Sequence, residues 1–136
     1  MTGLLLLNLG TPEAPTPEKV RAYLKEFLMD PFVLDIPYPL RWALVHGAIL
    51  PKRPAASAEA YKKVWTQRGS PLLTHLLDLC ERVQAEVAAA GRDWRVFPGM
   101  RYGEPSLRGA FEKMHAEGIT EAIILPMYPQ YSLAAT

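Results

Sequence analysis

The sequence has a single cysteine, few histidines and no marked excess of charge. Cys80 stands alone among 136 residues, which excludes an internal disulfide and indicates a reducing, cytoplasmic setting. We expect its thiol to behave as a small buried hydrophobic group. The 15 Lys and Arg residues against 14 Asp and Glu residues give a formal charge of +1, and the basic residues are scattered. This pattern argues against a nucleic-acid partner.

Long hydrophobic runs are also missing. The opening "MTGLLLLNLG" has neither a basic region nor a small-residue cleavage site, and it is far shorter than the roughly 20 residues of a membrane span, so we interpret it as a strand. The apolar segment from Ile36 to Leu50 contains Arg41, His46 and two prolines. It predicts a segment that lies against an apolar ligand or a membrane surface, and a peripheral membrane contact stays open.

Three apolar strands separated by helical patterns are predicted. Gly3 to Leu9 is continuously apolar, as in a central strand covered on both faces, and Trp94 to Tyr102 and Thr120 to Met127 follow later. Pro98 is expected near the end of the second strand. Strands alternating with helices predict one α/β domain with a mostly parallel sheet in a three-layer arrangement.

The predicted helices have clear start and stop signals. The first spans Pro17 to Met29 after an N-cap at Thr16. Ser57 is predicted to cap a helix that Gly69 closes. Further helices are predicted to start at Ser70-Pro71 and near Pro105 and to stop at Gly91 and Gly118. Phe32 to Leu50 looks like an insertion.

Ligands of parallel sheets bind beyond the carboxyl ends of the strands, where the loops "NLGTP", "GMRYGEP" and "PMYPQYS" are expected. These loops contain neither a dinucleotide-binding nor a phosphate-loop glycine pattern. Their mixture of apolar, aromatic and polar side chains predicts a flat apolar ligand, although each aromatic could simply pack under its loop. The residues are Leu9, Met100, Arg101, Tyr102, Met127, Tyr128, Gln130, Tyr131 and Ser132.

Five motifs in this order, "LLLNLGTPEAP", "RPAASAEAYKKVW", "GSPLL", "MRYGEPSL" and "LPMYPQYS", resemble the ferrochelatases, which insert ferrous iron into a porphyrin in haem synthesis. The resemblance implies two Rossmann-like lobes with the porphyrin between them. Residues 1–136 then correspond to the N-terminal lobe, with Phe32 to Leu50 as a lip over the pocket and the C-terminal lobe absent. Iron and porphyrin are implied as substrates, with no tightly bound cofactor.

The resemblance implies roles for two groups in these motifs. Leu9 matches a position that faces the macrocycle, and its inability to ligate metal favours protoporphyrin IX as the substrate over coproporphyrin. Arg101 and Tyr102 match a pair implicated in bringing metal to the porphyrin face. A structural alternative pairs Arg101 with Glu104 at a helix start.

Further matched positions bind the porphyrin periphery. Arg53, Tyr61 and Ser70 match residues that hold the propionates, although Ser70 has an alternative role as an N-cap. Many relatives have lysine where Ala56 stands, so the grip on the propionates is expected to be weaker here. Four matched residues are expected to line the cleft: Tyr128, Gln130, Tyr131 and Ser132. Trp42 and Leu44 of the lip are expected contacts.

The expected proton-abstracting residues are absent from the chain. The resemblance places a catalytic histidine and its partner glutamate beyond Thr136, and His46, His75 and His115 do not match them. No His, Cys or carboxylate spacing suggests a metal site. We therefore expect weak porphyrin binding and no metal insertion by this chain alone.

Two alternatives stay open. The first is a single-lobe tetrapyrrole-binding protein that dimerises to rebuild a two-walled cleft. The second is a small chelatase of the corrinoid type, which relies on histidines at the strand ends, where this sequence has none.

Overall fold

A three-stranded parallel sheet forms the centre of the computed structural model, which describes residues 1–129 and 131–133. The strands are β1 (Thr2–Gly10), β2 (Trp94–Tyr102) and β3 (Glu121–Pro126), in the order β2-β1-β3. The near-continuous apolar run of β1 therefore occupies the central position, as predicted.

Helices cover β1 and β2 on both faces, which confirms the predicted α/β class and agrees with a Rossmann-like lobe. On one face Leu76 and Cys80 pack against β1, and on the other face Ala110 and Met114 pack against it. The helices are α1 (Pro17–Leu28), α2 (Tyr38–Leu44), α3 (Arg53–Val64), α4 (Pro71–Ala89) and α5 (Leu107–Ala116), and a π-helical turn, Val45–Ile49, continues α2.

Alternation along β1 divides the core into two clusters. Leu4 and Leu6 point to the α4 side, and Leu5 points to the α5 side, because successive strand residues face opposite ways. Cys80 lies in the α4 cluster and is buried, as predicted. Burial raises the pKa of its thiol to about 11, so the thiol stays protonated at neutral pH.

The capping residues and glycines in the sequence predicted most helix ends but not all. Thr16 caps α1, where its hydroxyl accepts a hydrogen bond from the Lys19 N–H at 3.4 Å. Gly91 and Gly118 lie just past α4 and α5 with positive φ, as predicted for stop residues.

Two predicted boundaries are wrong. The helix that Ser57 was expected to cap begins at Arg53, because Pro54 suits the first turn and leaves Ser57 inside α3; this helix ends at Val64, before Gly69. Pro98 lies in the middle of β2, opposite Leu6. The proline is tolerated there because β2 is an edge strand of the described sheet, so its missing N–H breaks no second ladder.

The lip segment, Phe32 to Leu50, is largely exposed although it is apolar. Arg41 is its buried anchor, and its Nη1 donates to the carbonyls of Leu34 and Ile36 at 3.3 and 2.9 Å. The exposed large side chains are Phe32, Tyr38, Leu40, Trp42 and Leu44. Among the described residues, no helix combines the length and apolar character that crossing a membrane requires.

The outer strand β3 is apolar but uncovered. Ile123, Ile124 and Leu125 are 44%, 46% and 48% exposed, and alternation places them on both faces of the sheet. Within the described residues no strand pairs with the free edge of β3. An apolar strand of this kind is typical of the inside of a larger sheet rather than its rim.

Candidate functional site

The loops after β1 and β2 touch through their backbones at the carboxyl edge of the sheet. Gly10 lies opposite Tyr102, and with φ of +140° it has space only for a hydrogen where a Cβ would collide with the Tyr102 carbonyl oxygen. Gly103, with φ of +79°, approaches the Thr11 carbonyl in the same way. Glycine at both positions lets two predicted ligand loops meet.

Asp30, just beyond α1, joins the two predicted residues at the end of β2. Its Oδ2 accepts from Arg101 Nη2 at 2.8 Å and from the Tyr102 hydroxyl at 2.7 Å, while its Oδ1 accepts from the Phe32 N–H at 2.8 Å. The alternative partner proposed for Arg101 is wrong. The Glu104 carboxylate instead accepts from a backbone N–H at the start of α5.

Electrostatics support the charged form of Asp30. Burial raises the pKa of its carboxyl, but the Tyr102 hydroxyl, the Phe32 N–H and the charges of Arg101 and Arg41 together outweigh burial and lower the pKa. Burial and the hydrogen bond to Asp30 raise the pKa of the Tyr102 phenol. Tyr102 is therefore a neutral donor to a carboxylate at ordinary pH.

A row of aromatic rings connects this cluster to α1. The Tyr102 ring meets Phe27 edge-on at 5.1 Å, and Phe27 stacks on Tyr23 at 6.1 Å. The Tyr23 hydroxyl donates to the Gly10 carbonyl at 3.4 Å, and burial, followed by nearby Tyr61, raises its pKa to about 12. The row fixes the end of β2 against α1 at the edge where the ligand is predicted.

The buried hydroxyls of Thr11 and Ser70 connect the loop after β1 to the start of α4. Thr11 Oγ1 donates to Ser70 Oγ at 2.7 Å, and both side chains are buried. Ser70 occupies the N-cap position of α4 as predicted, but its side chain makes no capping hydrogen bond. Its hydroxyl thus serves a contact between loops rather than the helix end.

We expect Thr11→Val to lower the free energy of unfolding by about 1–3 kcal/mol, because it leaves the buried Ser70 hydroxyl without this partner. The exposed Thr120→Val should change it by less than about 0.5 kcal/mol. Urea unfolding followed by circular dichroism measures both. Equal effects of the two variants would contradict a stabilising role for the Thr11–Ser70 hydrogen bond.

The remaining predicted site residues are spread around this edge. Leu9 is half-buried at the end of β1, and Tyr61 is half-buried on α3, two turns after the exposed Arg53 at its start. Tyr128 is half-buried, and burial raises the pKa of its phenol more than the charge of Arg101 lowers it. In the last loop, Tyr131 and Ser132 are exposed. Gln130 lies outside the described residues.

Two cavities open beside the Asp30 cluster. One of about 430 Å³ is lined by Asp30, Phe32, Arg101, Tyr102 and neighbouring residues. A second of about 290 Å³ lies by Thr11, Tyr23 and Gly103. Of the predicted site residues, Arg101 and Tyr102 line the larger one. Met100, in contrast, is fully buried in the core, so its expected place at the ligand edge is wrong.

Sequence reasoning missed Asp30, Thr11 and Tyr23. Asp30 directly follows the predicted end of the first helix at Met29, and 71 positions separate it from Arg101. The single glycine of "NLGTP", flanked closely by polar residues, could have drawn attention to Thr11. No local signal pairs an acid with an arginine so distant in sequence.

The three histidines lie outside this cluster. His75 and His115 are exposed on α4 and α5, and His46 in the lip stacks on Trp42 at 4.6 Å. Within the described part of the chain, no group of three or more His, Cys, Asp or Glu side chains is placed to hold a metal ion.

Comparison with known proteins places the chain in a defined family. Residues 1–136 match the family described as ferrochelatase. The chain is 48% identical to a ferrochelatase of Idiomarina loihiensis over 98% of its own length and 37% of that protein. It is 49% identical to a ferrochelatase of Pectobacterium atrosepticum, again over 98% of the chain, and 50% identical to one of Methylococcus capsulatus, over 99%.

These relatives are much longer than the chain, which spans 41% of the Pectobacterium protein and 40% of the Methylococcus protein. The family match runs from residue 1 to residue 136, so it spans the residues of this edge, among them Gly10, Gly103 and the Arg101–Tyr102 pair. From its matching motifs and the full extent of the family match, the chain belongs to the ferrochelatase family.

Proposed function

We propose that this chain forms one wall of the porphyrin cleft of a ferrochelatase that inserts ferrous iron into protoporphyrin IX. The observation that carries the proposal is the meeting of the β1 and β2 loops at one sheet edge, with Arg101 and Tyr102 on a shared cavity. Membership of the ferrochelatase family supports the substrate class. The proposed setting is the cytoplasm, with the apolar lip at the mouth of the cleft.

In this proposal the chain binds and orients the porphyrin. Leu9 offers an apolar contact to one face of the macrocycle and cannot ligate iron. Arg53 is exposed and makes no hydrogen bond or ion pair with a described residue, so its guanidinium is available to a propionate. Tyr61 and Ser70 add hydroxyls. When Thr11 donates to Ser70, the Ser70 hydroxyl keeps its own proton for a carboxylate.

The last loop completes the proposed wall. Tyr128 offers a half-buried ring, and Pro129 restricts the backbone that leads to Gln130, Tyr131 and Ser132. The Tyr128 hydroxyl is buried without a hydrogen-bond partner among the described residues, so a ligand group could satisfy it.

Metal insertion exchanges two pyrrole protons for one Fe²⁺ ion, and both protons must reach a base. The histidine and glutamate expected for that step match no position here. We propose that they come from the remaining part of a ferrochelatase, since the chain spans 37% to 41% of its relatives. The same part is a fitting cover for β3, whose apolar side chains are exposed on both faces.

The test is a titration of the purified chain with protoporphyrin IX, followed by porphyrin fluorescence, with Zn²⁺ then added as an air-stable substitute for Fe²⁺. We expect saturable binding and no metalloporphyrin absorbance bands above the uncatalysed rate. Binding should weaken about tenfold in Arg53→Ala, which removes a charge-assisted contact to a propionate. Arg92→Ala, an exposed arginine at the far end of the sheet, is the matched control.

Each other outcome decides against part of the proposal. Metallation at an enzymatic rate would show that the chain already contains a competent base. An absence of binding would contradict the proposal that this chain forms a wall of the porphyrin cleft. A ligand-induced dimer in light scattering would instead favour the single-lobe tetrapyrrole-binding protein.

A further inference from the structure

We propose that Asp30 is a positioning residue of this site: it holds Arg101 and Tyr102 together and neutralises the guanidinium, withholding it from the carboxylates of the ligand. This inference rests on the proposed function, because it assigns a role at the same porphyrin wall. Asp30 corresponds to none of the residues matched by motif, and the geometry alone points to it.

The first argument is the geometry of the carboxylate. Arg101 and Tyr102 are consecutive on β2, so strand alternation would send their side chains to opposite faces. Both nevertheless end on the same oxygen, Asp30 Oδ2, at 2.8 and 2.7 Å. The Arg101 guanidinium also lies 5.0 Å from the Tyr102 ring centre. Asp30 therefore determines where both groups point.

Burial strengthens these contacts. The Asp30 side chain is 9% exposed and that of Arg101 28%, so the pair is far less screened than a surface ion pair. Tyr102 is 2% exposed and has its ring fixed by Phe27. An ion pair held in this way has little freedom to rearrange.

The second argument is charge balance around the larger cavity. Asp30 and Glu26 line it together with Arg101, and Arg41 in the lip is close enough to lower the pKa of Asp30. The cavity lining thus contains two acids and one guanidinium, and Arg41 acts on Asp30 from outside the lining. Removal of the Asp30 charge would make the cavity more positive where a divalent cation is proposed to approach, and would free Arg101 to bind a ligand carboxylate.

The third argument is that the two oxygens of Asp30 have separable tasks. Oδ1 accepts from the Phe32 N–H and so forms the turn that leads from α1 into the lip, whereas Oδ2 receives both side chains. Asparagine keeps an Oδ1 acceptor for the turn but replaces Oδ2 with an amide donor. Asp30→Asn therefore removes the positioning role and preserves the local fold.

The test compares protoporphyrin IX, which has two carboxylates, with its dimethyl ester, which has none. In Asp30→Asn we expect the diacid to bind roughly three- to tenfold more tightly, since Arg101 becomes available, and the ester to bind as it does to the wild type. Asp30→Glu, which keeps the charge, should return the diacid affinity to the wild-type range. Asp78→Asn, which breaks the exposed pair with Arg68, is the matched control.

A merely structural role predicts the opposite, namely weaker binding of both ligands. Weaker binding of both ligands would overturn the inference. So would unchanged binding of the diacid and the ester, or an equal gain in affinity for the two. If the wild type binds neither ligand, the proposed function fails instead, and with it any role of Asp30 toward the ligand.

A second measurement does not depend on the folding of a variant. The carboxyl pKa of Asp30 in the wild-type chain, followed by ¹³C NMR, should lie below the ordinary value of about 3.9 for aspartate. A pKa at or above that value would show that Arg101 and Tyr102 are not held as proposed.

Discussion

Gly10→Ala is expected to lower the free energy of unfolding by about 3 kcal/mol or more, and to weaken porphyrin binding because the two site loops are pushed apart. Its φ of +140° is strained for any residue with a Cβ, and that Cβ would collide with the backbone carbonyl of Tyr102. Gly10 ends the central strand β1 and is paired with Tyr102 of β2, so neither backbone can move aside as a flexible side chain can. Urea unfolding and porphyrin titration of the same preparation measure both losses.

Substitutions at two other glycines separate the effect of backbone strain from the effect of the Cβ collision. Gly91→Ala shares the positive φ, at +68°, but has open space around it, so a loss of about 1–2 kcal/mol is expected from backbone strain alone. Gly47→Ala has neither a positive φ nor a neighbour within 4 Å and should be neutral or slightly stabilising. If Gly10→Ala were no worse than Gly91→Ala, the close approach of the two loops would be contradicted.

Leu5→Ala is expected to lower the free energy of unfolding by about 3 kcal/mol, because it opens a cavity in the centre of the α5 cluster. Leu5 is fully buried, and it packs against Phe97 and Met114. Leu40→Ala, at a lip position 62% exposed, should change stability by less than about 0.5 kcal/mol. Denaturant unfolding of the two variants gives the comparison.

Gly99 makes this prediction sharper. A Cβ at Gly99 would lie 2.8 Å from Leu5 Cδ1, so Gly99→Ala alone should destabilise the wild type by about 1–2 kcal/mol. In the Leu5→Ala background the collision disappears, and the added methyl group enters the cavity. The two changes should therefore be non-additive by about 1 kcal/mol or more. Additive effects would mean that Leu5 does not occupy the space above Gly99.

Much of the fold could be predicted because its signals are local. The continuous apolar run of β1 predicted a central strand, and the caps at Thr16, Gly91 and Gly118 predicted helix ends, since each depends on a few neighbouring residues. Boundaries failed where tertiary context decided. Pro98 is compatible with the middle of β2 because that strand lies at the edge of the sheet that the described residues form, which its own sequence does not reveal.

The candidate site was predictable only in part. Motifs indicated Arg101 and Tyr102, and parallel topology predicted that the loops containing them and Leu9 lie at one edge. Neither source predicted that Tyr102 would be buried or that Arg101 would pair with an acid from the end of α1. These contacts join residues far apart in the chain, and the hydrophobic periodicity of the sequence does not predict them.

The sequence by itself determined the class of the protein. Its strand and helix periodicities require a parallel α/β sheet, and its motifs in order place it among the ferrochelatases. Only the tertiary structure decided which polar groups meet. Asp30 gathers Arg101 and Tyr102 because α1 ends beside β2, and two glycines let the loops approach closely enough for that meeting. Local patterns specify elements, whereas the charge balance of a site depends on how those elements pack.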